Sequence, residues 1–459
     1  MKGNSAMTGE VDLLPPSLSS AAAAFPAQDR PLRIMIAAHS HPEMSKGGAE
    51  IAAYQLFSEL RKRDDCEAWF VGCDRTMEAD RSGAVLMQPF SDREYIYAPG
   101  EFDWFKFANR DYKFPADFAQ LLAELKPDII HFHHYMNYGV EVFYVVRNIL
   151  PDCKIILTLH EFLAICHHYG QMITTSHRNL CYESSAIRCQ RCFPDISRSD
   201  FYLRQRYIQR FFDLVDDFTA PSHFLADRYV RWGLPADKMQ VIENVIPSAQ
   251  ARPEPALTSG AGPLRIGFFG QISLLKGINV LFDAAESLAD EATSDAVFDI
   301  FGDYRNQPPE FQKDFLERLP KAGRNVRFHG PYDGNRVDEL MRSVDAVLMT
   351  SIWWENSPVV IQEAFRNRRP VICPDIGGMA EKVRNRVDGF HFPVGSAVAL
   401  ASLVKQLAAD RSLLDGVAQT MAAPPLPEDI VAVHMQLYRR PSDTGLRHNG
   451  SLRKDSNVE

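Results

Sequence analysis

Residues 351–378 read SIWWENSPVVIQEAFRNRRPVICPDIGG, and this stretch decides the fold. An apolar run ends just before Ser351, and a polar, aromatic loop follows it. Pro358 suits the first position of a helix, with Asn356 or Ser357 as its N-cap. A second apolar run comes after the helix. A strand, a loop, a helix and another strand in this order predict a parallel α/β layer.

The same alternation extends over most of the chain. A linker rich in proline at 247–263 interrupts it. We predict an α/β protein with two Rossmann-like domains that face each other across a cleft, because ligands of such sheets bind beyond the carboxyl ends of the strands. The predicted strands are Leu32–Ala38, Glu67–Val71, Ile129–Phe132, Lys154–Leu159, Gln240–Ile242, Leu264–Phe269, Val297–Phe301, Val326–Phe328, Ala346–Met349 and Val371–Cys373.

Composition limits the class of protein. The chain has 459 residues, a net charge of −9 and eight cysteines. This acidic balance argues against non-specific nucleic-acid binding, and no apolar run approaches the roughly 18 residues of a membrane span. Residues 1–30 have no signal-peptide core and are predicted to be a disordered extension, as is the tail at 441–459. We therefore predict a cytoplasmic protein with reduced cysteines.

Two acidic residues of the quoted stretch are candidates for ligand binding. Glu355 lies in the loop and Glu363 lies almost two turns into the helix, so their carboxylates can touch different parts of one extended ligand. The first amides of this helix are unpaired and favour a phosphate. Taken singly, either glutamate is an ordinary solvated residue. The Gly377-Gly378 pair adds a turn at which backbone can approach a ligand.

The complete pattern resembles the signature of the retaining glycosyltransferases of family 4, which have the GT-B fold. The resemblance implies that Glu355 holds hydroxyls of a donor sugar and that Glu363 holds the ribose of its nucleotide. The diphosphate would face the helix start. The residues that this implies for donor binding in the loop and the first turn are Asn356, Ser357, Pro358, Val359 and Val360.

A second segment, Gly270-Gln271-Ile272-Ser273-Leu274-Leu275-Lys276-Gly277, follows the first strand of the second domain. Lys276 is a point charge suited to a diphosphate, although an ordinary helix start would look the same. The family usually carries an arginine where this chain has Gln271. Glutamine supplies no charge, so the usual pair of cations is incomplete here.

Residues of the first domain complete the candidate site. Gly47-Gly48 lies at a helix start and matches the family's glycine loop over the donor phosphate. His133 matches a histidine beside the donor sugar in the family. His131 and His160 also end strands and are weaker candidates on the acceptor side. The alternative for each histidine is a satisfied core residue.

Four cysteines, Cys166, Cys181, Cys189 and Cys192, fall within 27 residues of an insertion at 161–198. In a reducing compartment this spacing favours a structural zinc site over a disulfide. Free thiols are the alternative. A cysteine-rich insertion also occurs in some relatives of the family.

The resemblance assigns 31–246 to an acceptor domain, 264–425 to a nucleotide-sugar donor domain and 426–440 to a helix that crosses back. We expect transfer of a hexose from a GDP- or UDP-linked donor to a glycan or lipid-linked acceptor, in polysaccharide or cell-envelope glycan synthesis. Peripheral contact with the inner face of a membrane is left open, as is the oligomeric state. No Asp-x-Asp triplet is present, so no catalytic metal is expected. The alternatives are a sugar-nucleotide epimerase and a non-catalytic nucleotide-sugar binding module.

Overall fold

The computed structural model describes residues 30–45, 47–75, 86–111, 113–247, 262–289 and 295–441. It contains two α/β units, each with its own sheet. The predicted N-terminal extension, the tail and the linker lie almost entirely outside the described residues, and so does Lys46.

The first unit is built on an eight-stranded sheet in the order β10-β9-β8-β7-β1-β2-β4-β3, and β5 and β6 form a separate hairpin. Every neighbouring pair in the large sheet is parallel except β3–β4. The strands are β1 (Leu32–Ala37), β2 (Cys66–Cys73), β3 (Leu86–Met87), β4 (Glu94–Tyr97), β5 (Phe102–Asp103), β6 (Ala108–Asn109), β7 (Ile129–Phe132), β8 (Lys154–Thr158), β9 (Asp217–Ala220) and β10 (Met239–Val241).

Helices cover both faces of this sheet, which explains why its central strands are apolar without alternation. On β1, Met35 and Ala37 pack into one core, while Ile34 and Ile36 pack into another on the opposite face. The helices of this unit are α1 (Gly48–Leu60), α2 (Phe114–Leu125), α3 (Val142–Ile149), α4 (Ala186–Cys192), α5 (Arg198–Phe212) and α6 (His223–Trp232).

The second unit has a six-stranded, wholly parallel sheet in the order β13-β12-β11-β14-β15-β16. Its strands are β11 (Leu264–Phe269), β12 (Ala296–Phe301), β13 (Val326–Gly330), β14 (Ala346–Leu348), β15 (Val371–Pro374) and β16 (Gly389–Phe392). Its helices are α7 (Ile278–Ala289), α8 (Pro309–Arg318), α9 (Val337–Arg342), α10 (Val359–Arg366), α11 (Gly377–Lys382), α12 (Ala397–Ala409) and α13 (Ser412–Thr420).

Strand order reverses between β11 and β14 in the second sheet and between β1 and β7 in the first. Ligands of doubly wound sheets bind at such reversals, beyond the carboxyl ends of the strands. The loops that follow these four strands carry the candidate motifs. Two doubly wound units with facing reversals confirm the predicted fold class.

The last helix, α14 (Pro427–Arg439), returns to the first unit and packs against α1 and β1. The buried Tyr438 hydroxyl lies 2.8 Å from Nδ1 of His131. The buried Lys154 ammonium donates to the carbonyl oxygens of Leu437 at 2.6 Å and Arg440 at 2.9 Å. The end of the described chain is therefore part of the first unit's core.

The ten predicted strands are all present, with ends shifted by at most two residues. Four further strands of the two sheets escaped prediction: β3 has only two residues, and β4, β9 and β16 have four residues each and include polar or glycine positions. The helix predicted to begin at Pro358 starts one residue later. Pro358 occupies the N-cap position, and neither Asn356 nor Ser357 caps the helix with its side chain. Both side chains instead bond to the first unit.

Candidate active site

The two units meet directly at the loop between β14 and α10. The Asn356 side-chain amide donates to the carbonyl oxygen of His160 at 3.0 Å. The Ser357 hydroxyl donates to the carboxylate of Glu243 at 2.7 Å. These bonds explain why the predicted capping residues do not cap α10. They also place the loop that carries Glu355 at the junction of both units.

Glu355 is the centre of this junction. One of its carboxylate oxygens, Oε1, accepts hydrogen bonds from the Lys276 ammonium at 2.6 Å, the Ser351 hydroxyl at 2.7 Å and the Trp353 indole at 2.9 Å. Burial raises the pKa of Glu355, but the charge of Lys276 and the three hydrogen bonds outweigh it and lower the pKa below its ordinary value. No described side chain donates to the other oxygen, Oε2, which leaves a charged acceptor for a ligand.

Lys276 is fixed through its backbone. The Thr350 hydroxyl donates to the Lys276 carbonyl oxygen at 2.8 Å. The next residue, Gly277, has φ +70°, and a Cβ added there would lie 1.9 Å from the Thr350 carbonyl oxygen. Only glycine allows β11's loop to approach β14 this closely. The structure therefore brings Lys276 and Glu355 together, although they are 79 positions apart.

Gly270 and Gln271 open the same loop. Gly270 has φ +118°, and its carbonyl oxygen lies so close to Gly302 that a Cβ on Gly302 would be 1.9 Å away. Gln271 is exposed, and no hydrogen bond of its side chain is found among the described residues. The position at which the family carries an arginine thus contributes no charge to the junction.

The helix start and the glycine loop face each other across the junction. The first amides of α10, at Val359 and Val360, have no acceptor within the helix. A Cβ added to Gly48 would lie 3.6 Å from a methyl group of Val359. Gly47 precedes α1 at its N-cap position. A phosphate at this place would meet the N-termini of α1 and α10 together.

Glu363 lies further along α10 and is half-buried. No hydrogen bond to its carboxylate is found among the described residues. Burial raises the pKa of Glu363 to about 7, with Asp338 adding to this effect and Arg366 opposing it. Such a carboxylate is a suitable acceptor for two neighbouring hydroxyls.

The Gly377-Gly378 pair begins the short helix α11 and contacts the backbone of the loop that carries Glu355. The Gly378 amide donates to the carbonyl oxygen of Glu355 at 2.7 Å. A Cβ at Gly378 would lie 1.8 Å from the carbonyl oxygen of Asn356. The pair was predicted to approach a ligand, but in the structure it approaches the Glu355 loop itself.

Comparison with known proteins identifies the family of this chain. The model described as "Glycosyltransferase Family 4" matches residues 46–250, and the model described as "Glycosyl transferases group 1" matches residues 254–420. Together they span most of both units. The chain is a family 4 glycosyltransferase. An uncharacterized glycosyltransferase of Methanocaldococcus jannaschii, MJ1607, is 27% identical over 122 residues, which cover 27% of this chain and 30% of that relative.

Solved structures share the whole architecture of this glycosyltransferase. The crystal structure of Anabaena Alr3699/HepE in complex with UDP-glucose matches with a TM-score of 0.58 and 18% identity, over 90% of this chain and 96% of that one. Sucrose-phosphate synthase from Thermosynechococcus elongatus matches with a TM-score of 0.62 and 17% identity, over 89% and 98%. These likenesses establish the GT-B fold.

The predicted histidines of the glycosyltransferase take different places. His133 is buried, its Nδ1 lies 3.0 Å from Nε2 of His160, and its Nε2 has no partner among the described residues. Burial and neighbouring histidines lower the pKa of His133 well below its ordinary value, so its ring is neutral. His131 bonds through both ring nitrogens, to Tyr438 and to Thr158. His131 therefore anchors α14, and its position does not support the predicted acceptor-side role.

Two imidazole–carboxylate pairs were missed by the sequence analysis. Nε2 of His39 lies 3.2 Å from Glu50, and Nε2 of His134 lies 3.2 Å from Glu161. The two imidazole rings are 4.6 Å apart. Burial raises the pKa of Glu50, but its bonds to His39 and Ser45 outweigh this and lower it to about 2. Glu50, two residues after Gly48, was the available signal in the sequence.

None of the four clustered cysteines forms a disulfide in the described part of the chain. Burial raises the pKa of Cys166, Cys181 and Cys189, and neighbouring thiols contribute to each shift. Over the described part of the chain, no group of three or more His, Cys, Asp or Glu side chains is arranged to hold a metal ion. The zinc site stays a prediction.

Proposed function

We propose that this glycosyltransferase transfers a hexose from a UDP- or GDP-linked donor to a glycan or lipid-linked acceptor, with retention at the anomeric carbon. The observation that carries the proposal is the Glu355 carboxylate, which is held on one oxygen by three donors and open on the other. In this role Glu355 binds hydroxyls of the donor sugar. The UDP-glucose complex of the Anabaena neighbour supports a nucleotide-sugar donor.

Chemistry at such a site rests on placement and on charge. The bond from the anomeric carbon to the diphosphate oxygen breaks, the oxygen of an acceptor hydroxyl bonds to that carbon, and the hydroxyl proton passes to the leaving diphosphate, on which negative charge develops. Lys276 and the first amides of α10 stabilise that charge, so no catalytic metal is required. Because Gln271 replaces a cation and Lys276 also binds Glu355, this enzyme has less positive charge for the leaving group than the family pattern supplies.

A thermal-shift screen of nucleotide sugars tests the proposal most directly. The true donor stabilises the native state by mass action and should raise the melting temperature. Product analysis of the responding donor then separates the candidates: a transferase releases the nucleoside diphosphate, an epimerase converts the sugar without an acceptor, and a binding module does neither. If no UDP- or GDP-linked hexose raises the melting temperature, the proposal is wrong.

Glu363 is proposed to bind the ribose as a carboxylate. Its pKa of about 7 means that it is mostly charged at pH 8 and about one-tenth charged at pH 6. We expect the affinity for UDP or GDP, measured by calorimetry, to be about tenfold weaker at pH 6 than at pH 8. The diphosphate also titrates near neutrality, so Glu363→Gln is the control. If that variant keeps the full pH dependence, Glu363 is not its source.

The acceptor side is proposed to include the exposed face of α5. Tyr202 and Leu203 are 59% and 56% exposed there, beside the exposed Arg206 and Arg210. Aromatic and basic side chains on one surface suit the headgroup region of an anionic membrane. This face supports a lipid-linked acceptor and peripheral membrane contact in the synthesis of cell-envelope glycans or other polysaccharides. No described helix is long and apolar enough to cross a membrane.

A structural zinc ion is proposed at Cys166, Cys181, Cys189 and Cys192. We expect about one equivalent of zinc in freshly purified protein by elemental analysis, because a reducing compartment favours thiolate ligation. Cys66→Ala, which removes a cysteine remote from the insertion, is the control and should keep the zinc. Less than about half an equivalent in the unaltered protein would favour free thiols.

A further inference from the structure

The donor loop contributes one side chain to the core of the other unit. Trp354, the neighbour of Glu355, is only 5% exposed. It packs into a hydrophobic cluster whose other fully buried members all belong to the first unit. Its indole N–H donates to the carbonyl oxygen of Cys181 at 3.0 Å. Trp354 therefore links the donor loop to the cysteine-rich insertion.

Three side chains of the first unit surround the Trp354 ring, and we refer to Tyr182, Phe224 and Arg228 as the tryptophan socket. The ring centres of Tyr182 and Phe224 lie 5.2 and 5.1 Å from that of Trp354. The Arg228 guanidinium lies 5.1 Å from the Trp354 ring centre, and 5.4 and 5.0 Å from those of Tyr182 and Phe224.

Arg228 holds the socket together. It donates to the carbonyl oxygen of Tyr182, and it forms no ion pair with a carboxylate in the described residues. Its guanidinium instead faces three aromatic rings at once, an arrangement in which a partly buried cation is attracted to each π face. Phe224 and Arg228 are four residues apart on α6, so the helix presents both on one face.

The same loop is held on its other side. The Asn356 amide reaches the His160 carbonyl oxygen, and the Gly378 amide reaches the Glu355 carbonyl oxygen. Both residues adjacent to Glu355 are thus bonded to the first unit, while Glu355 itself points to Lys276. The Glu355 side chain is therefore bonded within the second unit, while the two residues that flank it are bonded to the first unit.

We propose that the tryptophan socket is a positioning device: by holding Trp354 against the first unit it aligns the loop and the carboxylate of Glu355 with the donor sugar, and it makes the cysteine-rich insertion part of the donor site. The role in catalysis rests on the proposed function of Glu355. Tyr182, Phe224 and Arg228 are positioning residues because they act through Trp354. Nucleotide binding, which needs Glu363 and the start of α10, does not depend on the socket.

The test compares Arg228→Ala with Arg231→Ala. Arg231 lies three residues later on the same helix, its side chain is 69% exposed, and it pairs with Asp227, so it is a matched control. Hydrogen exchange of the amides at 351–357 is measured on the full chain without ligand. Turnover of UDP-glucose and GDP-mannose and the dissociation constants of UDP and GDP are measured in parallel. Trp354→Phe, which keeps a ring but loses the indole N–H, is a second and milder variant.

The socket predicts that Arg228→Ala speeds exchange at 351–357 at least tenfold and lowers turnover at least tenfold, while nucleotide dissociation constants stay within twofold. Trp354→Phe should change both in the same direction, and Arg231→Ala should change neither. Unaltered exchange in both Arg228→Ala and Trp354→Phe would show that the tryptophan socket does not hold the loop at 351–357. Faster exchange with unaltered turnover would overturn its positioning role. If the unaltered enzyme turns over neither probe, turnover is measured with the donor that responds in the thermal-shift screen, and the exchange result decides whether Trp354 and Arg228 hold the loop.

Discussion

Glu355→Gln is expected to lower the rate of sugar transfer by about 10²- to 10³-fold, the effect of removing one preorganised electrostatic contact from a transition state. The amide keeps the size of the side chain and one acceptor oxygen for Lys276, Ser351 and Trp353. It replaces the open oxygen with a donor and removes the negative charge. The sugar therefore loses its acceptor, while the fold is preserved.

The same substitution has an opposite effect on the nucleotide. Lys276 loses its counter-charge at 2.6 Å, so its ammonium becomes more available to a diphosphate. We expect UDP or GDP to bind at least as tightly as before, with the loss confined to turnover. Glu286→Gln, an exposed glutamate on α7, is the matched control. Turnover within threefold of the unaltered enzyme would show that Glu355 does not contact the reacting sugar.

Gly378→Ala is expected to displace the loop that carries Glu355 and to lower both stability and turnover. The new Cβ would lie 1.8 Å from the Asn356 carbonyl oxygen and 2.8 Å from that of Glu355. Both are backbone atoms that cannot rotate away, so the loop must move. Overpacking of this kind costs about 1–3 kcal/mol in the free energy of unfolding. A displacement of about 1 Å at Glu355 lowers turnover by about 100-fold.

Gly416→Ala is the control for this prediction. Gly416 lies within α13, and a Cβ there meets nothing within 4 Å. Alanine in a helix interior is favoured over glycine by roughly 0.5–1 kcal/mol, so this variant should be slightly more stable and fully active. Urea unfolding and turnover of the two variants provide the comparison. An active Gly378→Ala enzyme would show that the loop position is not critical.

The sequence was most informative where chemistry is local. Glu355, Pro358 and Glu363 lie within nine residues, and their spacing along a loop and a helix was enough to predict two separate carboxylates and a phosphate seat. Lys276 could be placed beside them only through the resemblance. It lies in a loop that is distant in sequence, and the order of the strands, which residue spacing does not give, decides which loops are neighbours. The convergence of Ser351 and Trp353 on one oxygen of Glu355 depends on loop geometry, which residue spacing does not specify.

Long-range packing explains what the sequence could not provide. The partner of His131 is Tyr438, 307 positions later, so the histidine appeared to be a site residue. Trp354 seemed to be one aromatic residue of a polar loop, because its socket comes from an insertion and a helix of the other unit. The pairing of His39 with Glu50 also requires the fold, since the loop between them sets their distance.

The return of α14 has a consequence for biosynthesis. Ile430, Val431 and Tyr438 complete a core that begins with Ile34 and Ile36, and Lys154 finds its carbonyl partners only at Leu437 and Arg440. A ribosome releases the amino-terminal sheet long before these residues are synthesised. The face of the first sheet that α14 covers therefore stays exposed while the entire second unit is translated. The last contacts to form in this enzyme are therefore those of α14 with the first unit. Contacts between residues so far apart in sequence form slowly.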